Sequence, residues 1–248
     1  MKKFVLMTND DGVHAPGIQI LRKTIDPVWD TVIVAPDRER SAASHALTLN
    51  RPLRVNIIDD ITMAVDGTPT DCVMLSIMGL LDRRPDLIIS GINNGANLGD
   101  DVIYSGTVAG AAEAALLGIP AMAVSFVDLS DTDPEWGSEV ALRVAKAILR
   151  YTLPEGVFLN VNIPPSTSTQ RFEVTCLGRR SYREVIVKKI DPRGRPYYWI
   201  AGQPEKWQGG ESCDFAAIER GSISVTPLHL NMTAEHVLKE IASWKFGE

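Results

Sequence analysis

The stretch KFVLMTNDDGVHAPGIQILRKT, residues 3–24, runs from an apolar segment through a polar loop into a second segment of helical character. Lys3 to Met7 reads as a strand and Gly17 to Thr24 as a helix, so the chain opens on a βα unit. The same alternation continues through the first two-thirds of the sequence. Further strands are expected at Thr31 to Ala35, Thr62 to Val65, Asp86 to Ser90, Ala121 to Ser125 and Val157 to Val161, and further helices at Thr70 to Leu81, Gly106 to Leu117 and Glu135 to Tyr151. Short apolar strands alternating with helices predict an α/β fold built on a doubly wound, mostly parallel sheet covered on both faces.

From about residue 166 the pattern changes. KKIDPRGRPYYWIAGQPEKWQGG, residues 188–210, alternates too irregularly for another βα unit and predicts a hairpin arm turning at Pro192-Arg193-Gly194. A returning strand, Ser222 to Thr226, and an amphipathic helix, Thr233 to Phe246, with Val237, Leu238, Ile241 and Trp244 on one face, close the chain. The organisation expected is an α/β core over 1–165 and a C-terminal extension over 166–248 whose arm is suited to oligomerisation. Tyr197, Tyr198 and Trp199 read either as a binding surface or as a means of self-association or of packing the arm on its own domain.

With 248 residues, 45% of them apolar, the chain can bury a sizeable core. Its formal charge is −6 and its pI about 5.3, so no overall positive field draws in nucleic acid, and no stable nucleic-acid complex is expected. Met1-Lys2-Lys3 leads into only Phe4 to Met7 before polar residues begin, so neither a secretory signal nor a membrane span is expected. Cys72, Cys176 and Cys213 are scattered and lack C-x-x-C spacing; they are expected to be reduced thiols in a cytoplasmic protein.

In an open α/β sheet ligands gather beyond the carboxyl ends of the strands, which directs attention to four polar loops. Thr8-Asn9-Asp10-Asp11-Gly12 follows the first strand, Pro36-Asp37-Arg38-Glu39-Arg40-Ser41 the second, and Gly91-Ile92-Asn93-Asn94-Gly95-Ala96-Asn97 the fourth; Tyr104-Ser105-Gly106-Thr107 opens a helix of very small residues. Adjacent carboxylates at Asp10 and Asp11 repel each other at a cost of a few kcal/mol at about 4 Å near a protein surface. Two readings stay open for the pair: a helix cap followed by an Asx-Gly turn, or half of a cation site. Ser41 and Asn93 read singly as ordinary turn residues, but converging with the pair they make a hard, all-oxygen donor set suited to Mg²⁺ or Mn²⁺. Ser105, Gly106 and Thr107 read either as the cap of a closely packed helix or as a phosphate site at a helix N-terminus. His14 and His45 fall within the first two loops and read either as substrate contacts or proton donors or, the favoured reading, as surface or structural residues; His229 and His236 are expected to serve structure.

With those residues in view, the sequence resembles the SurE (survival protein E) family of nucleotidases. The resemblance rests on TNDDG at 8–12, VAPDRERSAASHALTL at 34–49, GTPTDCV at 67–73, SGINNGANLGDDVIYSGTVAGAAE at 90–113 and DFAAIERGSISVTPLH at 214–229. It implies a Rossmann-like core, a C-terminal arm exchanged in a homodimer or homotetramer, and metal-dependent hydrolysis of nucleoside 5′- and 3′-monophosphates. It further implies one divalent cation per subunit on Asp10, Asp11, Ser41 and Asn93, and phosphate held by Ser105, Gly106 and Thr107. Asp10 and Asp11 are then the candidate catalytic residues. Two other readings of the residues are a phosphatase with a covalent aspartyl-phosphate and a nucleotide sensor that binds without hydrolysis.

Overall fold

The computed structural model of the chain describes residues 2–128, 130, 133–165, 171–181, 186–200 and 206–246. At its centre lies β1, Phe4–Thr8, four of whose five residues are buried, flanked in parallel by β2, Asp30–Pro36, and β5, Leu87–Asn94. A strand enclosed on both sides needs apolar residues on both faces, which is why these segments read as continuous apolar runs rather than alternating ones. Beyond β2 come β4, Thr62–Val65, and the antiparallel edge strand β3, Val55–Asp59; beyond β5 come β6, Ala121–Phe126, and β7, Val157–Ile163. The predicted α/β class, with a mostly parallel sheet, is the observed one.

Two helical layers cover the sheet. On one face α1, Pro16–Ile25, and α4, Pro134–Tyr151, bury Ile18, Leu21, Val140, Val144 and Ile148 against the strands. On the other, α2, Pro69–Leu75, and α3, Gly106–Leu116, pack Cys72, Val73, Val108 and Ala112. Small residues let α3 approach closely: a Cβ on Gly110 would stand 2.9 Å from Ser90 Oγ. The predicted helix over 70–81 is corrected, because α2 gives way at Ser76 to a π-helical turn, Ser76–Leu80, in which Leu81 N–H reaches back five residues to Ser76 O. Ser76 Oγ donates to Cys72 O at 2.6 Å and competes there with the α-helical ladder.

The C-terminal third returns to the same sheet. β13, Ile223–His229, pairs antiparallel with β7, and the short β8, Phe172–Val174, pairs parallel with β13, giving the order β3-β4-β2-β1-β5-β6-β7-β13-β8. The boundary expected near 165 abuts 166–170, outside the described residues. Between β8 and β13 the arm departs. β9, Arg179–Ser181, pairs with β12, Lys206–Gln208, at its base, and β10, Ile186–Ile190, pairs with β11, Pro196–Ile200, beyond. Its turn falls at the expected residues: Asp191 Oδ1 accepts the N–H groups of Arg193 and Arg195 at 2.8 and 2.9 Å, and Gly194 takes φ +77°. Every residue of β10 and β11 is exposed.

The long terminal helix is also corrected. Only a 3₁₀ turn, Glu235–Val237, and the short α6, Leu238–Ala242, form, and neither buries a residue. Leu238 and Trp244 stay more than half exposed, so the apolar stripe finds no covering counterpart among the described residues, and a helix that buries no face is marginal in water. A six-residue helix unforeseen from the sequence, α5, Asp214–Glu219, precedes β13. Among the described residues no helix is long and apolar enough to cross a membrane.

Candidate active site

At the carboxyl ends of β1, β2 and β5 lies a cleft of about 440 Å³ lined by Asp10, Asp11, Glu39, Ser41, Asn93, Asn94, Asn97, Asp101, Tyr104 and Ser105, among others. The four residues read from the sequence as a cation-binding set all reach it. The loop after β1 is held from within: buried Asn9 donates through Nδ2 to Gly12 O at 2.9 Å and accepts Gly12 N–H at 3.2 Å. Gly12 has φ +103°, a conformation that L side chains rarely adopt. The second loop is tied to the first through Arg40 N–H and Asp10 O at 2.7 Å, and to the cleft's far wall through Ser44 N–H and Tyr104 O at 3.0 Å.

Asp10 is 5% exposed. Burial raises its pKa, against the opposing pull of the Thr107 hydroxyl and the amides at the start of α3. Thr107 Oγ1 donates to Asp10 Oδ1, and a Cβ on Gly106 would stand 2.9 Å from both Asp10 Cβ and Oδ2. Burial, then the neighbouring charge of Asp10, pushes Asp11 up to about 6, although the Asn94 N–H donates to its Oδ2 at 3.2 Å. The crowding foreseen in the sequence is therefore present in the fold.

Neutral oxygens complete the set. β5 breaks register with β6 between Ser90 and Asn93, as a bulge does, and Asn93 comes to line the cleft. Its Nδ2 donates to Gly95 O at 2.7 Å, which commits the amide nitrogen and leaves Oδ1 as an acceptor. Ser41, exposed at the rim, donates to Glu39 Oε1 at 2.6 Å and keeps its lone pairs. Among the described residues no group of three or more His, Cys, Asp or Glu could hold a metal ion, so a cation here needs the hydroxyl and amide oxygens as well as the two carboxylates. That donor chemistry fits a hard divalent ion.

The three residues expected at a phosphate divide. Ser105 lines the cleft and caps α3, its Oγ accepting Val108 N–H at 3.1 Å. Thr107 is fully buried, with its hydroxyl given to Asp10, and Gly106 packs against the Asp10 side chain. His14 is exposed and does not line the cleft, whereas His45 Nε2 meets the buried Glu113 Oε2 at 2.8 Å and anchors the second loop to α3.

Sequence reasoning placed Asn97 in a polar loop but assigned no supporting role to it or to Asp214. The Asn97 backbone is held by Asn162 Oδ1 at 2.8 Å and by the Asn160 and Asn162 amides, and its own Nδ2 donates to Ser125 Oγ at 2.7 Å. Asp214, fully buried at the start of α5, accepts Gly99 N–H at 2.7 Å, Gly178 N–H at 2.8 Å and Phe215 N–H at 2.9 Å. It thereby fixes the 3₁₀ turn Gly99–Ile103 that carries Asp101 and leads into Tyr104. The signals for Asp214 were an acidic residue directly before an apolar helix start, in CDFAAIE, and its place at the head of the block DFAAIERGSISVTPLH.

The model of the family "Survival protein SurE" matches residues 5–184. A protein of Pelobacter propionicus named 5′-nucleotidase SurE is 52% identical over 246 residues, covering 98% of this chain and 99% of that one. Another of that name, from Geobacter sulfurreducens, is 50% identical over 243 residues, 97% of this chain and 93% of its own. The crystal structure of SurE protein from Aquifex aeolicus superposes with a TM-score of 0.86 at 43% identity, over 96% of this chain and 98% of that one. A match over most of the length, in sequence and in fold, makes this chain a member of the SurE family.

Proposed function

We propose that the protein is a phosphatase that hydrolyses nucleoside 5′- and 3′-monophosphates to nucleoside and phosphate, dependent on one divalent cation, Mg²⁺ or Mn²⁺, per subunit. The observation that carries this reading is the convergence of Asp10, Asp11, Ser41 and Asn93 on one cleft beside Ser105. Support comes also from relatives at about half identity named as 5′-nucleotidases. When bound, a divalent cation supplies positive charge against the phosphate oxygens and acidifies water. Asp10 and Asp11 hold it and offer a carboxylate to the proton of the attacking water; Asn93 and Ser41 complete the oxygen set. Ser105 meets the phosphate at the positive end of α3. Gly106 and Thr107 act on the same reaction through Asp10, whose position they fix.

The test is phosphate release from a panel of 5′- and 3′-nucleotides with Mg²⁺, with Mn²⁺ and with chelator. Metal-dependent release from monophosphates is expected; binding without release would leave a nucleotide sensor, and a trapped phospho-aspartate a covalent route. Gly106→Ala tests the support of Asp10. Its new Cβ has no room beside the carboxyl, and a fall of about 10- to 100-fold in kcat, with metal saturating, is expected.

We also propose that the protein is a cytoplasmic homodimer or homotetramer in which the exposed arm docks on a partner subunit. Exposed Tyr197, Tyr198 and Trp199 supply the surface. Sedimentation at micromolar concentration is expected to show an oligomer that loses order when all three are replaced by Ser; a monomeric wild type would refute it.

A further inference from the structure

Cys176 and Cys213 stand opposite each other in an isolated parallel β-bridge. Cys176 N–H donates to Ser212 O at 3.1 Å, and Asp214 N–H donates to Cys176 O at 2.9 Å. Neighbouring strands lie about 4.8 Å apart, within the span of about 4.4 to 6.8 Å over which a disulfide joins two Cα atoms. The bridge is isolated, with no β-ladder continuing from it among the described residues, and the Gly178 N–H to Asp214 hydrogen bond holds the two segments side by side just beyond it. Both residues are free thiols and differ in access. Cys176 is exposed, its sulfur near Ser212 O at 3.6 Å and Ser212 Oγ at 3.8 Å. Cys213 is 4% exposed and packs with Leu98 and Phe215.

The position in the chain gives the pair its meaning. The arm and its base, strands β9 to β12, lie between Cys176 and Cys213 along the chain, so the bridge stands at the root of the excursion. The residue after Cys213 is Asp214, whose carboxylate holds Gly99 and Gly178. A bond across the bridge would therefore tie the root of the arm to the segment that supports one wall of the cleft. The third cysteine is excluded, because Cys72 is fully enclosed in α2 and burial holds its thiol protonated.

We propose that Cys176 and Cys213 are a reversible modification site that takes a low-molecular-weight disulfide, of the oxidised glutathione type, as its oxidant. Cys176 gives up its proton, and its thiolate attacks one sulfur of the small disulfide; the disulfide's own S–S bond breaks, and one thiol leaves with a proton. Cys213 then attacks the Cys176 sulfur, the mixed S–S bond breaks, and the second small thiol leaves with the Cys213 proton. The two protein thiols are oxidised to one disulfide, and the small disulfide is reduced to two thiols. Exposure assigns the first attack to Cys176, and the neighbouring position on the bridge assigns resolution to Cys213.

The full-length protein, incubated with oxidised glutathione and quenched by alkylation, tests this by thiol count under denaturing conditions and by peptide mass. The three thiols present before treatment are expected to fall to one, that of Cys72, with a Cys176–Cys213 link that dithiothreitol reverses. Cys213→Ser is expected to keep a glutathione mixed disulfide on Cys176, and the folded Cys176→Ser variant to take up none. Three remaining thiols, a mixed disulfide that persists on wild-type Cys176, or a link between two chains through Cys176 would each overturn the proposal.

Discussion

Asp11→Asn is expected to lower phosphate release about 10³-fold or more and, in the same protein, to raise the melting temperature of the metal-free form. The loss follows from the removal of one of only two carboxylates in the proposed cation site, a main source of transition-state charge stabilisation. The gain follows from electrostatics in the free protein. Asp11 is pushed from 3.8 to about 6 by burial and by the charge of Asp10. A carboxyl whose folded pKa lies above its unfolded value binds more protons in the native state across that interval, so stability falls as pH rises through it. The ionised form thus costs stability, fully so above about pH 6, and the cost fades as pH drops towards 4. Asparagine has no charge to bury. An advantage of about 1–2 kcal/mol at pH 7.5, discounted for solvent screening, should shrink as the pH is lowered and disappear near pH 4. Calorimetry of both proteins in chelator across that range reads the stability arm, and metal titration of the same samples reads the binding arm. Near-normal turnover in Asp11→Asn would remove this residue from the site.

Asp214→Ala is expected to destabilise the protein by about 3–5 kcal/mol, the largest stability effect foreseen outside the hydrophobic core. Three backbone N–H groups, those of Gly99, Gly178 and Phe215, converge on this buried carboxylate, and alanine leaves all three without an acceptor. Denaturant unfolding measures the cost. Because Gly99 begins the turn that carries Asp101 and leads into Tyr104, folded Asp214→Ala should also show a raised KM, with metal affinity at Asp10 and Asp11 changed less. Equal losses in both would mean that the clamp supports the whole cleft rather than one wall.

What the sequence made legible follows from how each element is held. The parallel strands are buried on both faces, so their apolar runs stand out, and the polar loops that follow them stand out by contrast. That contrast located Asp10, Asp11, Ser41 and Asn93 on one cleft. Edge strand β3, VNIID, is largely exposed and needs no such run, so it left no mark. Thr107 read as one more hydroxyl at a helix start; only the fold turns it inward onto Asp10. Asp214 and Asn97 support the cleft partly through partners far away along the chain, Gly99 lying 115 residues from Asp214 and Asn162 lying 65 from Asn97, and local pattern carries no information about such contacts. The terminal helix failed for the opposite reason. Its periodicity is real, but periodicity states only that an apolar face exists, not that the same chain supplies something to cover it.

The arm begins and ends at neighbouring points, since Cys176 and Cys213 are bridged and the strands on either side of it, β8 and β13, are paired in one sheet. An excursion with that geometry can lengthen, shorten or change its surface without shifting either anchor, because the entropy of closing a loop grows only slowly with its length. The β1, β2 and β5 loops that form the cleft lie outside it. Selection can therefore rework the outer hairpin in one lineage and leave it alone in another while the chemistry is inherited unchanged, and divergence among relatives should concentrate in the exposed strands β10 and β11 rather than at Gly178, which the Asp214 clamp holds.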